Sequence, residues 1–489
     1  MGYGVTIGME VHAELKTHSK MFCACKNGLG MEREPNVNIC PVCTAQPGSL
    51  PVPNRQAIEA VQKVGLALGC TPRLTSKFDR KHYFYPDIPK GYQISQYDEP
   101  FCEAGVLESD GKAFRVTRIH LEEDTGKSMH PEDAPYTLVD FNRAGVPLME
   151  LVTEPDFTTG KEARVFCQKL RQILRYLEVS NADMEKGQMR CEVNISLYPE
   201  GADPLSGTKV EIKNINSFRS VERAIEYEIA RQTEVLEAGE KIVQETRGWD
   251  EVNNATVTQR KKESAHDYRY FPEPDIPPFI FNAEYVEQLR RTLPELPDAK
   301  SKRFLAEYAL PEADVAILTE ERELAGYFEA TASELAEKSL SGEMQATLPR
   351  ALKLAANYML TEVRKHLADR GKRISDLLIT PENYAEFIGI VADEKINSSA
   401  AQVVLTEMYH SQDSDPSHII ERLNLAQVSD SSELEAVVTL VLSKNEKSVT
   451  DYQAGKQNAL KFLMGQTMKE TGGKANPKII LELLKKKLG

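Results

Sequence analysis

Between Val5 and Leu15 the chain alternates: Val5, Ile7, Met9, Val11 and Ala13 are apolar, and Glu10, His12 and Glu14 stand among them. A period of two sends successive side chains to opposite faces, so this segment predicts a strand with one face in a core and a row of titratable groups on the other. Arg190 to Leu197 repeats the pattern, with Arg190, Glu192, Asn194 and Ser196 opposite an apolar row. Thr208 to Asn214 does so again, setting Lys209, Glu211 and Lys213 against Val210 and Ile212. Such segments, parted by Gly, Pro and Asn turns and mixed with helical patterns, continue to about Pro278 and predict an α+β region. Beyond Leu293-Pro294-Glu295-Leu296-Pro297 the alternation stops and amphipathic helices follow one another. Thr319 is expected to cap a helix carrying Leu324, Tyr327 and Phe328, and Thr380-Pro381 to start one carrying Tyr384, Phe387, Ile388 and Val391. Ser411 to Ser417 reads as a polar linker before a smaller helical unit.

At 489 residues the chain has room for several domains. No apolar run approaches the roughly 18 residues of a membrane span, and Met1 to Glu14 lacks the basic and apolar regions of a secretory signal, so a cytoplasmic protein without a membrane partner is expected. A net charge of -14 excludes nonspecific coating of nucleic acid by the whole surface. The end of the chain departs from this balance. Lys461, Lys469, Lys474, Lys478, Lys485, Lys486 and Lys487 face only Glu470 and Glu482 there, which suits a polyanion and equally a solvated helix end.

Two acidic segments carry more information. Glu123 shares parity with Ile119 and Leu121, and Glu150 stands between Met149 and Leu151. A carboxylate on an apolar side needs a partner, either an ion pair with Arg118 or Arg143 or a hard divalent cation such as Mg2+. Lys81, in the run Phe78 to Asp87, is a candidate for phosphate contact, although alternating aromatics also suit a strand core. No Walker loop and no Gly-x-Gly-x-x-Gly turn is present, so a bound nucleotide would rest on a sheet and a metal. Cys23-x-Cys25 and Cys40-x-x-Cys43, 14 residues apart, suit a tetrahedral structural Zn2+, with free thiols as the alternative. Cys70, Cys102, Cys167 and Cys191 lack such spacing and are expected in the core.

Five longer motifs, Ile7 to Leu15, Lys77 to Asp87, Asp140 to Glu150, Lys213 to Phe218 and Asp267 to Asp275, resemble GatB, the B-subunit family of the tRNA-dependent Asp/Glu amidotransferase GatCAB. Gly465 to Lys469 and Gly473 to Pro477 are similar to the family's tail. The resemblance implies a glutamine-synthetase-like antiparallel-sheet cradle over 1–293, an all-helical domain over 294–410 and a YqeY-like, tRNA-binding helical tail over 411–489. It implies a ligase that uses ATP and Mg2+ to activate the side-chain carboxylate of misacylated Glu-tRNA(Gln) or Asp-tRNA(Asn). Amidation would use ammonia from the amidase GatA, with GatC completing a heterotrimer. Glu10, His12, Glu123 and Glu150 match the metal and kinase positions, and Lys81 joins them as a catalytic candidate. Lys81, Arg190, Glu192 and Lys213 are the candidates for nucleotide contact. Glu192 stands where the resemblance leads one to expect Asp. The competing reading is a noncatalytic, zinc-containing tRNA-binding scaffold whose carboxylates merely pair with Arg and Lys.

Overall fold

The computed structural model describes residues 2–131, 134–261, 268–410, 414–427, 431–472 and 474–489. These form two compact units, Met1–Pro297 and Asp298–Gly489. Asp267 and Gly473 of the quoted motifs, and residues 411–413 of the expected linker, lie outside the described residues.

The first unit is built on a nine-stranded sheet: β1 (Tyr3–Glu14), β2 (Thr71–Pro72), β3 (Cys102–Ser109), β4 (Lys112–Glu123), β5 (Pro147–Thr153), β6 (Met189–Pro199), β7 (Val210–Ile215), β8 (Glu245–Asp250) and β9 (Ala255–Lys261). The order is β9-β8-β7-β6-β1-β5-β4-β3-β2, which puts the first strand of the chain in the middle. Neighbours run antiparallel except β7 and β8, where Glu211 faces Thr246 in a parallel pair. The antiparallel sheet that the resemblance implies departs at this one pair: α3 (Phe218–Glu237) carries the chain from the end of β7 back to the start of β8, the crossover that a parallel pair requires.

Register aligns the polar residues into rows. His12 lies opposite Arg190 on one side and Glu150 on the other, and Glu150 lies opposite His120. Glu10 faces Glu192, and Asn194 faces Glu211. The reverse face holds Ile7, Val11, Ile119, Leu151, Val193 and Ile212, all fully buried against residues of α1 (Arg55–Ala67), α2 (Gly160–Tyr176) and α3. Each such side chain contributes about 1.5–3 kcal/mol by leaving water. The helices start at side-chain caps: Asn54 accepts from the N–H groups of Gln56 and Ala57, Thr159 from Glu162, and Ser217 from Ser220. Where α2 meets α3, a Cβ on Gly160 would lie 2.6 Å from the Glu222 carbonyl oxygen, so only glycine permits the approach.

The second unit is helical and holds two separate cores. One runs from Phe304 to Ile419 and includes Phe328, Tyr384 and Phe387, with the buried Tyr384 hydroxyl donating to the Ala355 carbonyl (2.9 Å). The other joins Leu434, Leu463, Ile480 and Leu484. Thr380 caps the helix Pro381–Ala392 as its sequence predicts. Thr319 does not cap the one that follows it. Its hydroxyl turns back to the Val315 carbonyl (2.8 Å) and it closes the helix Glu312–Leu318, so Arg322–Ser341 begins without a side-chain cap. Pro416 and Ser417, expected in the linker, open the helix Pro416–Leu423 with Asp415 as its cap. Among the described residues no helix is long and apolar enough to cross a membrane.

Phe157 is fully buried, stacked on Phe114 at 4.2 Å between centroids and edge-on to Phe166 at 5.0 Å. Replacing it with alanine should destabilise the first unit by about 3–5 kcal/mol. Denaturant unfolding followed through Trp249, which lies in the same unit, measures this.

Candidate functional site

The polar face of the sheet floors a cavity of about 950 Å³. At its centre Glu150 and Glu122 are grasped by two imidazoles. His120 Nε2 lies 3.1 Å and His12 Nε2 3.4 Å from Glu150 Oε2, and each is 3.8 Å from a Glu122 oxygen. Ser95 donates its hydroxyl to Glu122 (2.9 Å). Burial alone would raise the Glu150 carboxyl, but His120 and His12 outweigh it and hold it well below the ordinary range. Burial likewise opposes a charge on His12, yet Glu150 first, then Glu192 and Glu122, carry it up to about 9. The Nδ1 atoms of His12 and His120 are buried and make no hydrogen bond among the described residues.

A second cluster lies across β1, β6 and β7. Glu10, Glu192 and Glu211 each bring a carboxylate oxygen within 4.8 Å of the others. Lys213 Nζ bonds Glu192 (2.7 Å) and lies 3.7 Å from Glu211, while Asn194 donates to Glu10 (2.8 Å). Burial, then Glu150, Glu192 and Glu211, push the Glu10 carboxyl up. Three carboxylates packed this closely are a donor set for a hard cation, and their all-oxygen chemistry fits Mg2+. His12, Glu122 and Glu150 form a second such group with one nitrogen and two oxygens.

Cations share the lining with these carboxylates. Lys81 is kept charged, well above its ordinary value: burial opposes the charge, and Glu122, Tyr270 and Glu150 overcome it. Its Nζ stands 5.3 Å from the Tyr268 ring centre and 5.9 Å from that of Tyr83. Arg190 bonds Asp124 (3.0 Å), and Arg143 Nε lies 3.7 Å from the same carboxylate. The mouth carries Tyr97 stacked on Tyr270 at 4.4 Å.

Of the residues expected at this site, Glu10, His12, Lys81, Glu150, Arg190, Glu192 and Lys213 line the one cavity. Glu123 does not, and its place as a metal or catalytic residue is corrected. It points to the other side of the sheet, where Lys90 (2.7 Å) and the Ile94 N–H (3.0 Å) neutralise it. Its parity with Leu121 dictates this, and the same parity turns His120 and Glu122 toward the cavity. Applied from Glu10 and His12 through Glu150, the alternation carries the signal for both residues. Glu211 and Arg118 are visible in the same alternation, Arg118 sharing the parity of His120 and Glu122, whereas Tyr270 enters the lining through packing that no local pattern marks.

Away from the cavity, Cys23, Cys25, Cys40 and Cys43 bring their sulfurs within 4.8 Å of one another. The Cys40 and Cys43 sulfurs are 3.8 Å apart, about the edge of a tetrahedron with 2.3 Å metal–sulfur bonds. Cys43 is pulled down to about 5, chiefly by the hydrogen bond with Cys23, with the Cys40 N–H and the Lys20 ammonium adding to it. The four thiols thus fit Zn2+ in number, type and separation. The other four cysteines are buried in the first unit.

The GatB/GatE catalytic domain matches residues 5–287, the span that carries this sheet and its cavity. The GatB domain matches residues 343–488, and the chain belongs to the GatB family. It is 47% identical over its whole length to the B subunit of the aspartyl/glutamyl-tRNA(Asn/Gln) amidotransferase of Caldanaerobacter subterraneus, covering all of that protein. The corresponding proteins of Carboxydothermus hydrogenoformans (47%, 99% of each chain) and Thermotoga maritima (46%, all of this chain and 99% of the relative) are similar to it along the same span.

Metal analysis of the purified chain should find one equivalent of zinc. Cys40→Ser should lose it and lower the thermal midpoint of the first unit, while Cys167→Ser, whose sulfur lies in the core, should keep it.

Proposed function

We propose that this chain is the carboxylate-activating subunit of a tRNA-dependent amidotransferase. Its substrate would be the glutamate or aspartate of misacylated Glu-tRNA(Gln) or Asp-tRNA(Asn). A carboxylate resists ammonia because it has no leaving group. Transfer of the γ-phosphoryl group of ATP to a carboxylate oxygen gives an acyl phosphate and ADP. Ammonia then attacks the carbonyl carbon, phosphate departs, and a proton leaves the nitrogen to give the amide. The observation that carries this reading is one cavity holding both oxygen-rich clusters together with cations.

Glu10, Glu192 and Glu211, with His12, Glu122 and Glu150 beside them, would hold the Mg2+, which draws charge from phosphoryl oxygens when bound. The protein's own part is positioning. Lys81 supplies a fixed, desolvated ammonium for a phosphate or the substrate carboxylate, and Arg190 is held in place by Asp124. Lys213 is committed to Glu192 and Glu211, so its role is to keep that acidic cluster from repelling itself apart.

The first unit would serve as the glutamine-synthetase-like cradle, the core from Phe304 to Ile419 as a helical domain, and the last core as a YqeY-like tail. In that tail Lys461, Lys469, Lys485 and Lys486 are exposed, which favours contact with an RNA backbone. The chain carries no Gly-Ser-Ser amidase motif, so ammonia would come from the amidase partner GatA, with GatC joining the pair. The relatives' designation as B subunits supports a multi-subunit assembly.

In the assembled complex supplied with ammonium, Glu150→Gln should cut ATP-dependent amide formation by about 10²–10³-fold while assembly and tRNA binding stay unchanged. Full turnover by that variant would favour the scaffold reading. Lys485→Ala and Lys486→Ala together should weaken tRNA binding and flatten its dependence on salt, read by titration at several ionic strengths.

A further inference from the structure

Residues 27–39, between the cysteine pairs, form neither strand nor helix. They are tied side chain by side chain to the turn 139–146. The Phe141 N–H donates to Asn36 Oδ1 (2.7 Å) and the Asn36 N–H to Asp140 Oδ1 (3.0 Å). Asn142 accepts from the Asn38 N–H (2.9 Å) and donates its Nδ2 to the Glu34 carbonyl (2.7 Å). Gly30, at φ 64°, comes so near that a Cβ there would lie 2.9 Å from Arg143 Cβ. Lys20, fully buried, closes the junction. Its Nζ donates to the carbonyls of Asn38 (2.9 Å) and Phe141 (3.4 Å) and stands 3.9 Å from Cys43 Sγ.

The inner side of the same turn faces the cavity. Arg143 donates Nε to the Thr125 carbonyl (3.1 Å) and Nη2 to that of Gly126 (2.9 Å), leaving Nη1 without a hydrogen bond among the described residues. The Gly145 N–H bonds the Asp124 carbonyl (2.9 Å) and the Asp124 N–H bonds that of Val146 (2.8 Å), so the turn also fixes the carboxylate that holds Arg190. Both arginines line the cavity.

We propose that the four-cysteine metal site is a positioning device for the catalytic cavity. Through Lys20, Asn36 and Asn142 it sets the turn 139–146, and with it Arg143 and the Asp124–Arg190 pair, against an anionic oxygen of the substrate. Lys20 and Asn142 are positioning residues, and Arg143 is the group that meets the ligand. The ligand half of this inference rests on the activity proposed above. The mechanical half does not.

Hydrogen–deuterium exchange of the full-length chain in its complex, zinc-loaded and after chelation, tests the mechanical half without any substrate. Exchange should rise about tenfold or more in both 27–43 and 139–146, with the centre of β1 unchanged. A rise confined to 27–43 would overturn the proposal. Asn142→Ala and Lys20→Met should retain the zinc equivalent yet show the same gain at 139–146, and either variant suffices if the other fails to fold. Steady-state kinetics of the surviving variant then reads the ligand. A rise of about 5–20-fold in KM with kcat within twofold is expected, for ATP if the oxygen belongs to a nucleotide phosphate and for the misacylated tRNA if it belongs to the amino-acid carboxylate. Unchanged KM for both, or a loss of kcat alone, would refute the coupling to Arg143.

Discussion

Everything in the first unit depends on the register of β1 between β5 and β6. The same strand supplies Ile7 and Val11 to the core and Glu10 and His12 to the cavity. A slip of one residue would exchange the two sets, burying three titratable groups against α1 and α2 and exposing five apolar ones. Because β1 is paired on both edges, the slip would have to break two ladders together. The apolar face therefore enforces the alignment that brings Arg190, His12, Glu150 and His120 into one row across four strands.

That alignment is stable only as a balanced set of charges. Glu150 keeps its charge because two imidazoles share it, and Lys81 keeps its charge because Glu122 and Glu150 lie near. Glu10 has Glu150, Glu192 and Glu211 near it, and the Asn194 amide and the Lys213 ammonium offset them only in part. The cavity thus interleaves cations with carboxylates, and anions outnumber their local partners around Glu10. A phosphate-bearing ligand with its divalent cation complements both signs at once.

Much of this is legible from alternation alone, since a strand with one buried face sorts its own residues. Glu10, His12, Glu150, Arg190, Glu192 and Lys213 converge on the cavity from strands of one sheet for that reason, and Lys81 joins them from a separate three-stranded sheet. Glu123 shows the limit: the oddness of an acidic residue among apolar neighbours suggests a site, while strand parity assigns it to the far face and to Lys90. The parallel pairing of β7 with β8 is hidden because it follows from where α3 returns the chain, not from any property of the two strands. Thr319 fails as a cap because its hydroxyl has a carbonyl one turn back within reach, a competitor that a sequence pattern does not display.

The position of β1 also bears on how the chain is made. It is synthesised before both of its partners, which end at Thr153 and Pro199, and it occupies the middle of the sheet. At about 5–20 residues per second, a ribosome needs on the order of 10–40 seconds between finishing β1 and finishing β6. Through that interval a segment with an unshielded apolar face and two open edges waits for neighbours not yet translated. The nascent chain is exposed to self-association through that interval, and slower translation between β1 and β6 lengthens it.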